Sequence, residues 1–336
     1  MYFFAALSVI VPAVAGPLLA YGPGRRLARG RLVTRTRAAV AGLVVTLGRP
    51  VTALAFVLFW AALIVAVFWP VGLLAHSLED AIDWPVLLWV TERRNPSFEE
   101  FNWFYTALGD RDPLKKVVVA AAVVFAVLWR KRFWIPLVAI LLSFPLEQYV
   151  QAILAGMVDR GHPPTGLGSY PSGGIARVVM TFGAIALFVA LTWKLSRRWH
   201  VVLGTVVFVL AAYEGYSRIY TQKHWITDVI SGLTFGPALF LGYAVAVCIL
   251  AGRYPRPETG AAASGPASEA TGAAGQASAN AGGASANAGG ASANAGGASA
   301  GGASAGGASA GGASANAGGQ AGESTGEGRP EAVPAA

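Results

Sequence analysis

The sequence predicts an all-α fold: a polytopic membrane helix bundle with a six-helix core and one additional N-terminal transmembrane helix. Of its 336 residues, 54% are hydrophobic, and the mean hydropathy is +0.53. Apolar runs of about 17–25 residues recur along the chain, and this is the length that an α-helix needs to cross a bilayer. A soluble α/β protein with buried strands rarely contains so many runs of this length.

Seven apolar runs define the candidate membrane helices. They cover residues 2–21, 52–75, 114–130, 133–156, 176–194, 200–216 and 226–251. The runs at 114–130 and 200–216 are the weakest, because they are short or interrupted by polar groups. No positive charge precedes the apolar part of the first run, so we expect a membrane helix there rather than a cleaved leader.

The basic residues predict the orientation of these helices. Arginines are concentrated at 25–37, directly after the first run, and by the positive-inside rule that segment is cytoplasmic. The clusters at 130–132 and 194–198 and the arginines at 253 and 256 are then cytoplasmic too. The acidic segment 76–113 and the segments 157–175 and 217–225 fall outside. We therefore expect a multi-pass protein of the cytoplasmic membrane.

Three parts of the chain differ in character. Residues 1–50 are predicted to form the N-terminal transmembrane helix and a basic cytoplasmic loop, and residues 51–252 the six-helix core. Residues 253–336 carry the repeat Ala-Ser-Ala-Asn-Ala-Gly-Gly, which has almost nothing to bury, and are predicted to form a disordered cytoplasmic tail. Within the core, the Trp- and Tyr-rich segment 76–113 predicts short helices that cap a site at the membrane interface, or a loop packed on the bundle.

The composition also excludes several functions. The formal net charge of +8 comes mostly from loops that face the anionic cytoplasmic leaflet, so it does not indicate a nucleic-acid partner. The one cysteine, Cys248, lies in an apolar run, and the four histidines are scattered at 76, 162, 200 and 224. We therefore expect neither a metal site nor a cofactor.

The segment Ser217–Asp228 is the strongest functional signal. It lies between two long apolar runs and reads Ser-Arg, five residues, His, three residues, Asp. Arg218 can hold a phosphate through two parallel hydrogen bonds. His224 and Asp228 are four residues apart, so on a helix the carboxylate can orient the imidazole and stabilise its cation. The pattern predicts phosphoryl chemistry on a lipid.

A second signal precedes the run at 176–194. Pro171-Ser172-Gly173-Gly174 directly precedes a predicted helix beginning near residue 175. The free amides of a helix N-terminus, next to two glycines without a Cβ, form a good phosphate cradle, to which Ser172 adds a hydroxyl. A simple turn with a helix cap is the alternative.

The spacing Ser-Arg-x5-His-x3-Asp resembles the third signature of the type 2 phosphatidic acid phosphatase family, which comprises integral-membrane, metal-independent lipid phosphatases. The resemblance implies that His224 is the nucleophile, that Asp228 orients it and that Arg218 binds phosphate. The family signatures occur in the same order here, across roughly residues 51–252.

The other two signatures are altered. The second is Pro-Ser-Gly-His in the family, and Gly174 stands in place of the His that is its general acid. The first is Lys-x6-Arg-Pro, and it falls at Arg160-Gly161-His162-Pro163, so that Ala155 and His162 replace the Lys and the Arg. Three interpretations stay open. The protein acts on diphosphates, whose leaving group needs an acid less; another residue such as His162 donates the proton; or catalysis is lost.

Several further residues are candidates around this site. Arg160 could still reach the phosphate. Arg177 lies one turn beyond Gly173 in an apolar helix, where an unpaired charge is costly, and we expect it to replace a lost cation; a snorkelling or structural arginine is the alternative. Glu214, four residues before Arg218, is placed to orient it. Glu147 and Gln151 share a helix face with position 155 and predict hydrogen bonding within the bundle.

Together these observations predict a metal-independent membrane lipid phosphatase or diphosphatase. It would act through a phosphohistidine at the outer membrane face on a membrane lipid phosphate or a polyprenyl diphosphate. One alternative is a phosphotransferase that passes the phosphoryl or phospholipid group to an alcohol. Another is a catalytically inactive phospholipid-binding relative. Transport has the least support, because the helical part of the sequence shows no repeat.

Overall fold

The computed structural model describes residues 1–21 and 31–253, and all regular structure within these ranges is helical. In chain order the α-helices are α1 (Tyr2–Tyr21), α2 (Arg31–Leu47), α3 (Arg49–Ser77), α4 (Trp84–Glu92), α5 (Pro96–Thr106), α6 (Arg111–Leu128), α7 (Trp134–Val158), α8 (Gly173–Trp193), α9 (Arg197–Tyr220) and α10 (Ile226–Leu250). The all-α prediction is confirmed.

Five of these helices are long and apolar enough to cross a membrane: α3, α7, α8, α9 and α10. The other two predicted runs lie on α1, whose apolar stretch Tyr2–Leu18 is shorter, and on α6, which begins with charged residues. The protein is therefore a multi-pass membrane protein. The predicted disordered tail lies outside the described residues apart from Arg253, and so does part of the basic loop after α1.

Helix α8 occupies the centre of the bundle. It packs against α6, α7, α9 and α10, and Ile175, Val178, Met180 and Phe188 are inaccessible to solvent. The small residue Gly183 allows this close packing, because a Cβ there would lie 2.8 Å from Phe240. The apolar side chains of α3, in contrast, are largely exposed on the outside of the bundle. Because four helices surround α8, its N-terminus at Gly173 and Gly174 is buried.

Helices α3 and α10 are locked together by one aromatic side chain. The indole Nε1 of Trp60 donates a hydrogen bond of 2.8 Å to the carbonyl of Ala238. The ring lies over Gly242, where a Cβ would come within 2.0 Å of Trp60 Cδ1. This contact sets the position of α10 along the axis of α3.

The N-terminal helix α1 packs lengthwise on α9. Its first residue is tied to α9, since the Tyr216 hydroxyl donates to the Met1 carbonyl at 3.2 Å. Helix α2 contributes Val40 to an apolar cluster with Ala53 of α3 and Ile249 of α10.

The segment between α3 and α6 forms the short helices that the sequence predicts. A π-helical turn at Glu79–Asp83 leads into α4 and α5, and a 3-10 turn at Ala107–Gly109 follows. This segment packs on the end of α9, where Asn95 N–H donates to the Tyr220 hydroxyl at 2.8 Å and the Phe98 ring meets Tyr220 edge-on. It therefore borders the loops that hold the signature residues.

Candidate active site

A cavity of about 350 Å³ opens where the loop before α8 and the turn between α9 and α10 meet. It is lined by Asp110, Arg111, Gln151, Leu167, Gly168, Ser169, Gly173, Arg177, Arg218, Lys223 and His224. The lining contains four side chains that carry a positive charge at neutral pH and one carboxylate, that of Asp110. A cavity with this excess of cations attracts and holds a phosphate group.

The N-terminus of α8 is brought to this cavity by a backbone contact with α10. The Ser172 amide donates to the carbonyl of Asp228 at 3.1 Å. Gly232 makes the approach possible, because a Cβ there would lie 2.8 Å from the Ser172 carbonyl oxygen. Gly173 lines the cavity, whereas the Ser172 hydroxyl is buried beside it with no hydrogen-bond partner among the described residues. The first amides of α8 thus lie next to the cationic side chains.

His224 lies in the turn that ends α9, and not in a helix with Asp228 as the sequence spacing suggested. Gln222 adopts a left-handed conformation, and the amide of Lys223 donates back to the Arg218 carbonyl at 2.9 Å. Gly168 packs on this turn with a φ of +92°, and a Cβ there would lie 2.1 Å from the Lys223 carbonyl oxygen. The turn therefore holds His224 against the cavity wall.

The His224 ring is 4% exposed in its side chain, and its Nδ1 lies 3.5 Å from Asp228 Oδ2 in the first turn of α10. This distance is longer than that of a good hydrogen bond, so a small ring movement is needed to close it. Burial lowers the pKa of His224, and the neighbouring Asp228 carboxylate opposes that effect. A neutral imidazole with Nδ1 facing the carboxylate presents Nε2 as a nucleophile.

Arg160 lies behind Asp228 and outside the cavity lining. Its guanidinium donates to Asp228 Oδ1 at 3.0 Å, to Thr227 Oγ1 at 2.7 Å and to Asp83 Oδ2 at 2.6 Å. These side chains are buried, and the Asp83 carboxylate also accepts from the Thr227 amide at 3.0 Å. In this arrangement Arg160 braces the carboxylate that faces His224, rather than pointing toward the phosphate-sized space.

Arg218 lies directly against the N-terminus of α8. Its Nε donates to Glu214 Oε1 at 2.7 Å, and its Nη2 donates to Asp110 Oδ1 at 3.0 Å and to the Thr106 carbonyl at 3.2 Å. A Cβ at Gly174 would lie 2.2 Å from Arg218 Cζ. The side chain that is missing at position 174 thus leaves the space that the guanidinium occupies.

Arg177 contributes a second cation on α8. Its Nε donates to the Gly173 carbonyl at 2.9 Å and lies 3.9 Å from Glu147 Oε2. The Glu147 carboxylate is fully buried, and its Oε1 has no hydrogen-bond partner among the described residues. Gln151, one turn further along α7, lines the cavity and donates to Ser169 Oγ at 2.8 Å. The polar face of α7 therefore supports the cavity wall.

The structure brings together His224, Asp228, Arg218, Arg177 and the glycines at 173 and 174. It leaves His162 exposed and outside the cavity lining. No group of three or more His, Cys, Asp or Glu side chains within the described ranges is arranged to hold a metal ion.

Sequence reasoning missed the three charged lining residues Asp110, Arg111 and Lys223, and it missed Asp83 on the far side of Asp228. Lys223 directly precedes His224, but it falls on a variable position of the signature spacing. Asp83 carried no local signal that could have linked it to Arg160.

These features define the class of protein: an integral-membrane helix bundle with a cationic cavity around a buried His–Asp pair. Residues 147–249 match the family model of the PAP2 superfamily. The matched residues contain the positions of all three signatures, and the resemblance predicted from the sequence is confirmed.

The chain is also similar to a solved structure described as the first transmembrane PAP2-type phosphatidylglycerolphosphate phosphatase from Bacillus subtilis. The two chains are 23% identical with a TM-score of 0.46, and the similarity covers 62% of this chain and 98% of that chain. No match was found among the curated proteins.

Proposed function

We propose that the protein is a lipid phosphatase or diphosphatase that works through a phosphohistidine on His224. At the family level, the match of residues 147–249 to the PAP2 superfamily model supports a membrane lipid phosphatase. The observation that carries the finer proposal is the position of the buried His224 beside Asp228, at the wall of a cavity with four cationic side chains. A neutral nucleophile next to fixed cations is suited to a phosphate dianion.

In this mechanism Arg218, Arg177 and the first amides of α8 bind the phosphate oxygens. Nε2 of His224 attacks phosphorus, and the bond from phosphorus to the lipid oxygen breaks. Asp228 stabilises the cationic ring that results. Water then attacks the phosphohistidine, which releases phosphate and restores the imidazole. Fixed cations compensate the charge that develops in both steps.

The charge pattern supports an outward-facing site. The cavity adjoins segments 76–113, 157–175 and 217–225, which the positive-inside rule assigns to the outside. The cluster Arg130–Arg132 lies between α6 and α7, at the ends of these helices that are farther from the cavity. We accordingly propose residues 51–252 as the catalytic core, with its site open to the extracytoplasmic side.

The decisive experiment is phosphate release by the purified full-length protein from a lipid monophosphate and from a polyprenyl diphosphate. We expect His224→Ala to lower the release rate by about a thousandfold or more, as removal of a nucleophile does. His200→Ala is the matched control, because His200 is exposed and lies outside the cavity lining. Equal release by wild type and His224→Ala would contradict the proposal.

A non-catalytic phospholipid-binding protein is the second candidate. It is favoured by one observation: donors of Arg218 are already bonded to Glu214, Asp110 and the Thr106 carbonyl. Saturable binding of the lipid phosphate by wild type, without release of phosphate from either lipid, would decide for it.

A further inference from the structure

Expulsion of a lipid alcohol requires a proton on the leaving oxygen. The histidine that supplies this proton in the family signature is absent from this cavity. Gly174 has no side chain to donate a proton, and His162 is exposed and does not line the cavity. The titratable lining residues other than the arginines are His224, Asp110 and Lys223. His224 is committed to attack on phosphorus in the mechanism above, and a carboxylate bonded to cations is a poor acid.

We propose that Lys223 is the general acid, donating a proton from Nζ to the oxygen that leaves phosphorus. The inference rests on the proposed phosphatase function and adds a catalytic residue to it. It also extends the range of substrates to phosphate monoesters, because an alcohol leaving group depends on such an acid far more than a phosphate leaving group does.

Lys223 lines the same cavity as His224 and Arg218, and its side chain is only 10% exposed. Its Nζ lies 3.6 Å from Asp110 Oδ2, while Asp110 Oδ1 accepts from Arg218 Nη2 at 3.0 Å. One carboxylate therefore holds the lysine and the phosphate-binding arginine next to each other. A phosphate bound to Arg218 would thus lie close to the Lys223 ammonium.

The Trp103 ring fixes the other side of the lysine. Nζ lies 4.7 Å from the centroid of this ring, which is within the range of a cation–π contact. The backbone amide of Lys223 donates to the Arg218 carbonyl at 2.9 Å, which holds the turn against the end of α9. These contacts confine the ammonium group to the rim of the cavity, on the side of α5.

The environment of Lys223 also suits a proton donor. Burial lowers the pKa of Lys223; Asp110 and Glu214 act to raise it, and Arg218 acts to lower it. The other charged or titratable groups that line the cavity are Arg111, Arg177 and His224. A lowered pKa makes the ammonium a stronger acid, and the charge of a bound phosphate keeps it protonated until the proton is needed.

The two steps balance in atoms and charge. In the first, the Nε2 lone pair of His224 forms the bond to phosphorus, the phosphorus–oxygen bond breaks, and the Lys223 ammonium protonates the departing oxygen. The products are an alcohol, a phosphohistidine and a neutral amine. In the second, water attacks phosphorus, the amine accepts a proton from that water, and the bond from phosphorus to Nε2 breaks.

The test compares two leaving groups in single turnovers, with enzyme in excess and release of the alcohol followed. A short-chain dialkylglycerol phosphate has a poor leaving group, and 4-nitrophenyl phosphate has a good one. For Lys223→Gln and Lys223→Arg we expect a loss of about 10²–10⁴-fold on the alkyl ester, with little change on the aryl ester. Arginine keeps the positive charge but cannot give up its proton, so this variant separates acid catalysis from electrostatics.

The pH dependence provides an independent readout. With wild type, alkyl-ester cleavage should fall at alkaline pH as Lys223 loses its proton, and both variants should lack this alkaline limb. Lys115→Gln is the matched control, because Lys115 is exposed and paired with Asp112 at 2.9 Å. This control should behave as wild type with both esters.

Two results would overturn the assignment of Lys223: full alkyl-ester activity of Lys223→Arg, or an equal loss on the two esters in both variants. Failure of wild type to cleave either ester would instead overturn the proposed phosphatase function, and the role of Lys223 with it. If Lys223→Gln does not fold, the alkyl-ester activity of Lys223→Arg and the alkaline limb of its pH profile still test the assignment of Lys223.

Discussion

Asp83 and Arg160 form a fully buried ion pair, with Oδ2 and Nη2 only 2.6 Å apart although the residues are 77 positions apart in sequence. Asp83 belongs to the turn before α4, outside the segment that matches the family model. Arg160 in turn donates to Asp228, which faces His224. The orientation of the proposed nucleophile therefore depends on a residue that no family signature includes.

Replacing Arg160 by Met should destabilise the protein by about 3–5 kcal/mol, because Asp83 and Asp228 would stay buried without their shared partner. The same change should raise the pKa of His224, since the charge on Asp228 would no longer be compensated. Thermal unfolding of the detergent-solubilised protein measures the first effect, and the acid limb of the pH–rate profile measures the second. An unchanged melting temperature would show that the ion pairs of Arg160 with Asp83 and Asp228 do not stabilise the fold.

The activity of wild type should persist to mildly acidic pH. Burial lowers the pKa of His224 below its ordinary value of 6.5, so the imidazole remains neutral and nucleophilic below that pH. The acid limb of kcat/KM should accordingly fall below pH 6.5. A limb at or above this value would show that His224 is not held neutral by burial, or is not the titrating group.

Folding stability should also depend on this histidine. Since the folded pKa is the lower one, the unfolded chain binds more protons as the pH falls through 6.5, and the folded state loses stability there. Chemical unfolding at pH 7 and pH 5 should show this loss in wild type, and His224→Asn should reduce it. If the two proteins lose the same stability between these pH values, other groups account for the effect.

Gly174→Ala should impair the site without a large effect on the fold. Its Cβ would meet Arg218 Cζ at 2.2 Å, so the guanidinium must leave its position at the N-terminus of α8. Displacement of a substrate-binding group by about 1 Å can lower the rate by about 10²-fold. Gly156→Ala is the control, because nothing lies within 4 Å of its added methyl group. Wild-type kinetics in Gly174→Ala would show that Arg218 is not needed where it lies.

Gly242→Ala should have the opposite profile. Its Cβ would lie 2.0 Å from Trp60 Cδ1 and force α10 away from α3, far from the cavity. Overpacking of this kind destabilises a protein by about 1–3 kcal/mol. We expect a lower melting temperature and an unchanged kcat per folded molecule. A lower kcat at full folding would link this packing contact to the site.

Much of the fold could be predicted from the sequence, because membrane helices are specified by local hydropathy. All seven apolar runs lie on helices, including those at 114–130 and 200–216 that polar residues interrupt. The proximity of Arg218, His224 and Asp228 was predictable for a similar reason: a helix end, a turn and the next helix start bring them together over a few residues.

The rest of the site depends on contacts between distant parts of the chain. The sequence suggested Arg160 as a phosphate ligand, but its direction is set by Asp83, whose position follows from the packing of the segment before α4. Lys223 lines the cavity because the turn containing left-handed Gln222 directs it toward Asp110 and Trp103. No local pattern encodes either contact.

The excess of cations in the cavity has a consequence for the end of the reaction. Under the proposed phosphatase function, free phosphate would carry the same charged oxygens as the lipid headgroup, so the four basic side chains would attract both. After the lipid alcohol has diffused away in the membrane, phosphate would have to leave against the attraction that brought the substrate in. Release of phosphate, rather than cleavage of the ester, would then be the rate-limiting step of turnover. Inorganic phosphate in the medium would inhibit the enzyme by binding in the same cavity.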